Sequence, residues 1–181
     1  MTTLDTLVKQ GKVRYIACSN YNLEQIAESR KVAERLGLEN FIAVQNEYSL
    51  FENEMESSVI PYCATNGLGT LGYSPFASGL LAGRYEKGKP PPAGSRATYK
   101  PAGWLEGRVD EEKYRKIEKI RNVAAKVGLS LPTLSLSWAV RENGVNIAIV
   151  GASRPEQLDE CSKAVEVKLP TDIVNDLKSI N

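Results

Sequence analysis

The chain has 181 residues, 42% hydrophobic and 25% charged, with a formal net charge of +1. These values predict one soluble globular domain over residues 1–181, long enough to bury a substantial core. The near balance of 23 basic and 22 acidic side chains argues against nucleic-acid and membrane-surface partners. No apolar run approaches the roughly 20 residues that span a bilayer, so no membrane segment is predicted.

The cysteine and histidine content limits the kinds of site that the sequence can form. The three cysteines, Cys18, Cys63 and Cys161, are widely spaced and indicate neither a disulfide framework nor a zinc site. They favour a cytoplasmic location. The sequence contains no histidine, so the commonest general base and metal ligand is missing from these residues.

In the first half of the chain, hydrophobic periodicity predicts helices and strands in alternation. Asn22 is the expected N-cap of the second helix, and Gly37 ends it. The predicted helices cover Thr2 to Gln10, Leu23 to Leu36, and Asn53 or Glu54 to Thr65; the strands cover 13–18, Phe41 to Asn46, and Gly69 to Gly72.

The second half opens with a stretch rich in Gly, Pro and Lys, which predicts a long loop over about 86–107. The remaining elements are helices at about 110–127 and 131–142, a strand at 146–150, a helix from Pro155 to about 165, and a last helix from Pro170 to the end. Each of the four strands is separated from the next by at least one helix. That alternation predicts an α/β fold with parallel strands and right-handed crossovers.

Polar residues stand where each predicted strand ends. They are Ser19–Asn20, Gln45–Asn46, Tyr73–Ser74 and the run 151–154, Gly-Ala-Ser-Arg. In α/β folds the carboxyl ends of parallel strands meet at one edge, and ligand groups gather there. The sequence therefore predicts a binding site at this edge.

Four stretches of the chain resemble the aldo-keto reductase family and occur in that family's order. They are GKVRYIACSNY (11–21), VQNEYSLF (44–51), LGYSPFASGLLAGRY (71–85) and IVGASRPEQLDE (149–160). Family members are (β/α)8 barrels, and these stretches resemble their fifth to eighth strands. The resemblance implies a partial TIM barrel, a half-barrel of about four parallel strands with flanking helices. It also implies that the family's catalytic Asp, Tyr, Lys and His belong to a half that these residues do not represent.

The resemblance implies that NADP(H) binds at the carboxyl edge. Ser19, Asn20 and Gln45 correspond to the side chains that hydrogen-bond the nicotinamide carboxamide, which needs both donors and acceptors. Tyr73 corresponds to the aromatic residue that stacks on the nicotinamide ring. The segment from Ser74 to Arg84, with Phe76, Gly79 and Leu81, corresponds to the loop whose backbone N–H groups and basic residue lie along the pyrophosphate.

The resemblance implies that residues near the last strand bind the adenosine end of the cofactor. Gly151, Ser153 and Arg154 precede a helix, and a helix N-terminus with an arginine suits the 2′-phosphate of NADP(H). Gln157, Glu160 and Cys161 correspond to residues that face the adenosine. Cys161 departs from the family, which usually has Asn at that position.

Simpler interpretations exist for each of these residues taken alone. Ser19 and Asn20 could serve the N-terminus of the following helix, Tyr73 could be core packing, and Arg154 could be a solvated first-turn residue. A cation at a helix N-terminus is mildly unfavourable unless an anion is present, which favours phosphate binding at Arg154.

Three hypotheses on function follow. The first is an NADP(H)-binding half-domain that lacks the usual catalytic residues. The second is an active carbonyl reductase, completed by a separate first half or by recruited acids and bases at a dimer interface. The third is a structural or interaction module without a ligand. For the second hypothesis, the residues that could be recruited as acids and bases are Tyr15, Tyr21, Tyr48, Lys12 and Asp5.

A half-barrel would also leave strand edges and one sheet face uncovered. Inward side chains such as Tyr15, Ala17, Val44 and Ala148 would lose their facing layer. We therefore expect a homodimer, the commonest closed arrangement.

Overall fold

The computed structural model describes residues 1–180. Within them seven α-helices and four β-strands alternate, and short 3-10 turns lie at Glu54–Ser57, Ala77–Gly79 and Arg96–Tyr99. The elements are α1 Thr2–Lys9, β1 Ile16–Ser19, α2 Leu23–Leu36, β2 Phe41–Glu47, α3 Val59–Thr65, β3 Gly69–Tyr73, α4 Glu111–Lys126, α5 Leu131–Ala139, β4 Ile147–Ile149, α6 Pro155–Ala164 and α7 Thr171–Lys178.

The four strands form one parallel sheet in the order β1-β2-β3-β4. This confirms the predicted α/β fold with four parallel strands flanked by helices. The register pairs Ser19 with Gln45, Glu47 with Tyr73, and Tyr73 with Ile149. The carboxyl ends of all four strands therefore meet at one edge, as the positions of the polar residues predict.

The two faces of the sheet differ in burial. Cys18 pairs with Val44, and both are buried beneath the helices, whereas Ala17 on the other face is exposed. Ile147 on the same open face is 54% exposed. The prediction that Val44 and Ala148 share a face with Ala17 is wrong, because the register places Val44 beside Cys18 and Ala148 beside the buried Gly72.

The core lies between the covered face of the sheet and the helices. Every residue of α5 except Pro132 is buried, and Trp138 near its C-terminal end has no exposed surface. The Trp138 ring stacks on Tyr48 with centroids 5.0 Å apart. This packing fixes the segment after β2 against α5.

Two element boundaries differ from the prediction for identifiable reasons. The strand expected from residue 13 begins at Ile16, because the N–H groups of Lys12 and Val13 both donate to the Leu7 carbonyl and close α1. The helix expected from residue 53 or 54 to Thr65 is interrupted at Ser58. A continuous helix would place Pro61 in its interior, where proline removes a hydrogen bond and clashes with the preceding turn. The interruption puts Pro61 in the first turn of α3.

The remaining elements lie within one to three residues of their predicted bounds. The last residue of the predicted final helix, residue 181, lies outside the described residues. Over 86–107 the structure has neither an α-helix nor a strand, as predicted; the 3-10 turn Arg96–Tyr99 lies among simpler turns. No described helix combines the length and apolar character that crossing a membrane would require.

Candidate functional site

A cleft of about 820 Å³ opens at the carboxyl ends of β3 and β4. Its volume is in the range of small-molecule and cofactor sites. The segment after β3, the loop over 86–107, and the start of α6 form its walls. Eleven of the predicted site residues line it: Tyr73, Ser74, Phe76, Gly79, Arg84, Gly151, Ser153, Arg154, Gln157, Glu160 and Cys161.

The charged side chains of the cleft are mainly cationic. Three arginines, Arg84, Arg96 and Arg154, line it beside one acidic residue, Glu160. Glu160 accepts a hydrogen bond from the hydroxyl of Ser130 at the start of α5. Arginine forks match phosphate oxygens in geometry and charge. The cleft is therefore suited to a ligand that carries phosphate groups.

The wall at β4 is built from the turn that leads into α6. Pro155 is the first residue of α6, where a proline is pre-organised, and Arg154 is its N-cap. The backbone N–H of Ser153 donates to Gln157 Oε1 at 2.8 Å, which folds the turn back onto the helix. Arg154 is exposed at this helix N-terminus. A bound anion would relieve the unfavourable placement of its charge.

The wall after β3 is a strained turn. Ser74, Ala77 and Ser78 have φ values of 56°, 45° and 62°, in the left-handed region that side chains disfavour. Such backbone strain clusters at ligand sites and costs on the order of 1–3 kcal/mol per residue. A Cβ on Gly79 would lie 3.2 Å from the Tyr85 ring. The turn therefore depends on glycine at this position.

The prediction that backbone N–H groups between Ser74 and Arg84 lie along the pyrophosphate needs refinement. The N–H groups of Gly79, Leu81 and Arg84 donate to carbonyls within the segment. The Leu81 side chain is fully buried in the core. Leu81 therefore stabilises the turn by packing in the core. Because these N–H groups already have acceptors, the arginine side chains are more available than the N–H groups to bind phosphates.

Ser19, Asn20 and Gln45 lie at the neighbouring strand ends rather than in the cleft wall. The Asn20 backbone N–H donates to the Gln45 carbonyl at 3.0 Å. The Tyr73 hydroxyl donates to Asn20 Oδ1 at 2.9 Å, which connects these strand ends to the cleft. Together Ser19, Asn20, Gln45 and Tyr73 form a polar group that we call the strand-end cluster.

The simpler interpretation of Ser19 and Asn20 as helix caps is wrong. Asn22 is the N-cap of α2, and its side chain accepts from the Gln25 N–H at 2.9 Å. The Gln25 side chain in turn accepts from the Asn22 N–H at 3.0 Å. This capping box satisfies the helix start without either residue. The Ser19 and Asn20 side chains are thus free of that role.

The structure adds residues that sequence patterns did not identify. Arg96 and Tyr99 reach the cleft from the 3-10 turn within the long loop, and Tyr99 is 79% exposed there. The ring of Tyr85 also lines the cleft, although the residue is only 3% exposed. Its hydroxyl is buried without a hydrogen-bond partner among residues 1–180. Tyr85 is the last residue of the family-like stretch 71–85, whereas no sequence pattern marked Arg96 or Tyr99.

The residues suggested as recruited acids and bases lie outside the cleft wall. Asp5 accepts from Lys9 and from the Glu39 N–H, and these hydrogen bonds hold its pKa below the usual value. Tyr48 is fully buried, and desolvation raises its pKa well above the ordinary value. Neither group is available for proton transfer to a ligand in the cleft.

The three cysteines are all free. Burial raises the pKa of Cys18 to about 11 and also raises the pKa of Cys63. Cys161 lines the cleft, and its pKa is raised by partial burial and by the neighbouring Glu160. Thiols with raised pKa values are poor nucleophiles at neutral pH. Among the described residues no group of three His, Cys, Asp or Glu could hold a metal ion.

Comparison with known proteins gives a family match and a set of related sequences. The model of the Aldo/keto reductase family matches residues 1–181. A protein from Oryza sativa subsp. japonica, called a probable voltage-gated potassium channel subunit beta, is 33% identical over 181 residues. The match covers 98% of this chain and 55% of that protein, so the chain spans about half the length of this relative.

Proposed function

The chain belongs to the aldo/keto reductase family, and we propose that it binds NADP(H) in the cleft at the carboxyl ends of β3 and β4. The observation that carries the proposal is the convergence of Arg84, Arg96 and Arg154 on one cleft whose rim connects to the strand-end cluster. Three cations suit the three phosphates of NADP(H) in number and charge. Amides and hydroxyls suit the nicotinamide carboxamide.

The two ends of the cleft have different chemistry, which supports one orientation of the cofactor. Arg154 lies at the start of α6, beside Gln157 and Cys161. We assign this end to the 2′-phosphate and the adenosine. Tyr73 ends β3, on the side of the cleft toward β1, and joins Asn20, so we assign that side to the nicotinamide. Arg84 and Arg96 are then left for the pyrophosphate.

A fluorescence titration of the purified 181-residue chain with NADPH tests this proposal. We expect saturable binding and weaker binding of NADH, which lacks the 2′-phosphate. The matched pair of variants is Arg96→Ala, in the cleft, and Arg35→Ala, at the exposed C-terminal end of α2. Only Arg96→Ala should weaken binding. A folded chain without saturable NADPH binding would favour a structural or interaction module.

We further propose that carbonyl reduction needs residues beyond these 181. Bound NADPH would supply a hydride, but a carbonyl also needs a proton donor beside the nicotinamide. Asp5 and Tyr48 are engaged in hydrogen bonds away from the cleft, and the chain has no histidine. The chain would therefore act as the cofactor-binding part of a reductase and have little reductase activity alone.

The likeness to a probable voltage-gated potassium channel subunit beta favours a second candidate. In that case the cofactor-binding unit serves as part of a channel-associated subunit rather than as a metabolic enzyme. Coexpression with a voltage-gated potassium channel, followed by current recording, tests it. Currents that change with the chain, and lose that change with Arg96→Ala, would support this candidate.

We also propose that the open face of the sheet is covered by a second copy of the chain. Ile147 is 54% exposed on that face, Tyr15 just before β1 is 70% exposed, and the edges of β1 and β4 are unpaired within residues 1–180. Exposed apolar surface of this kind marks interaction sites. Because all three cysteines are free thiols, we expect the chain to act in the cytoplasm.

A further inference from the structure

We propose that the Tyr73 hydroxyl is a positioning group that holds the Asn20 side chain ready for the nicotinamide carboxamide. This inference rests on the proposed NADP(H) site and assigns a separate role to the hydroxyl of a residue whose ring is expected to stack. The hydroxyl donates to Asn20 Oδ1 at 2.9 Å. Among the hydrogen bonds of residues 1–180, this is the one made by the Asn20 side chain.

The hydrogen bond from Tyr73 to Asn20 crosses the strand β2. Asn20 follows β1, Tyr73 ends β3, and β2 lies between these strands. Strands in a sheet lie about 4.8 Å apart, so the two ends are separated by about twice that distance. Only a long side chain with a terminal polar group can bridge such a gap. A phenylalanine would place a similar ring at residue 73 and leave Asn20 untethered.

The backbones of both Asn20 and Tyr73 are held in place. Asn20 is fixed by its left-handed φ of 57° and by the bond from its N–H to the Gln45 carbonyl. Tyr73 is fixed at the end of β3, where its carbonyl accepts from the Tyr48 N–H at 3.1 Å. The bond between Tyr73 and Asn20 therefore connects two backbones that are held by hydrogen bonds, and it restricts the Asn20 side chain before a ligand arrives.

The direction of the bond leaves the ligand-binding groups free. Oδ1 accepts from Tyr73, so the Asn20 amide keeps its two N–H donors for an acceptor such as a carboxamide oxygen. A phenol O–H lies in the plane of its ring. The bond therefore uses the edge of Tyr73 and leaves a ring face open for stacking. Tethering and stacking are compatible in one side chain.

The test compares Tyr73→Phe with the unmodified chain in two titrations, one with NADPH and one with 2′-phospho-ADP-ribose, which lacks the nicotinamide. A neutral hydrogen bond of this kind corresponds to an effect of about threefold to tenfold in affinity. We expect Tyr73→Phe to weaken NADPH binding by that factor and to leave 2′-phospho-ADP-ribose binding unchanged. The control is Tyr114→Phe on α4, away from the cleft.

A double-mutant cycle then separates positioning from a direct contact. In an Asn20→Ala background, Tyr73→Phe should have no further effect on NADPH binding, because the group that it positions is gone. Unchanged NADPH affinity in Tyr73→Phe, an equal loss for both ligands, or additive effects in the cycle would each overturn the inference. If the unmodified chain binds neither ligand, the proposed function itself fails, which is a different result from these.

Discussion

Arg141 Nη2 lies 2.6 Å from Glu56 Oε1, and this ion pair joins the end of α5 to the 3-10 turn after β2. The Tyr48 hydroxyl donates to the same carboxylate at 2.7 Å, and Lys178 of α7 lies 3.4 Å from its other oxygen. Burial alone would raise the pKa of Glu56. The hydrogen bonds from Arg141 and Tyr48 outweigh it, so the pKa lies below its ordinary value.

The first prediction concerns pH and stability. Because the pKa of Glu56 is lower in the folded chain than in the unfolded chain, its ionised form stabilises the fold above the unfolded value of 4.5. That contribution is lost as the pH falls through the folded pKa. We expect Glu56→Gln to reduce the free energy of unfolding at pH 7 by about 1.5–3 kcal/mol, the scale of hydrogen bonds to a charged group.

Urea unfolding at pH 7 and at pH 3 checks this prediction. The difference between Glu56→Gln and the unmodified chain should shrink at pH 3, where the native carboxylate is increasingly protonated. The matched control is Glu118→Gln, since Glu118 pairs with Arg121 on the surface with 65% of its side chain exposed. It should change stability by less than about 1 kcal/mol. Equal losses in the two variants would contradict the role given to Glu56.

The second prediction concerns cofactor preference. Arg154 stands exposed at the start of α6, where a phosphate monoester would accept its hydrogen bonds. We expect Arg154→Ala to weaken NADPH binding about tenfold, since a charge-assisted hydrogen bond contributes about 1.5–3 kcal/mol. NADH binding should hardly change. Fluorescence titration measures both, and equal losses for the two cofactors would show that Arg154 does not recognise the 2′-phosphate.

The third prediction concerns catalysis. We expect reduction of an aromatic aldehyde by NADPH to stay at background with the purified chain. The physical reason is that these candidate proton donors are engaged elsewhere: the Tyr73 hydroxyl donates to Asn20, Tyr48 is buried with a raised pKa, and Asp5 is engaged by Lys9 and Glu39. Absorbance at the NADPH band measures turnover. Activity that survives repeated purification and disappears in Tyr15→Phe or Tyr21→Phe would instead support recruited residues.

The parallel sheet was predictable because alternating apolar strands and amphipathic helices allow few topologies. The cleft wall at β3 and α6 was predictable because the Gly-rich segment and the turn before Pro155 follow their strands directly. Arg96 and Tyr99 were not, because they reach the cleft from a loop without periodicity, and only tertiary packing determines its path. The bond from Tyr73 to Asn20 depends on residues 53 positions apart, which no local pattern encodes.

The last prediction concerns assembly. The open face of the sheet carries Ala17 and Ile147, and Ile147 is 54% exposed. Covering this face against a second copy removes apolar surface from water, which stabilises the pair by roughly 25 cal/mol per Å² buried. We therefore expect a homodimer, with β1 or β4 near the interface. Light scattering at micromolar concentration should give about twice the chain mass of 19.9 kDa.

A matched pair of variants locates the interface. Ile147→Lys puts a charge on the open face, where it would be buried in a dimer, and burying an unpaired charge is costly. Leu36→Lys makes the same kind of change at the end of α2, where the side chain is 55% exposed. Because both positions are exposed in the single chain, both variants should fold with unchanged circular dichroism. Only Ile147→Lys should give the mass of one chain. A single-chain mass for the unmodified protein would refute pairing, and a dimer that persists in Ile147→Lys would place the interface elsewhere.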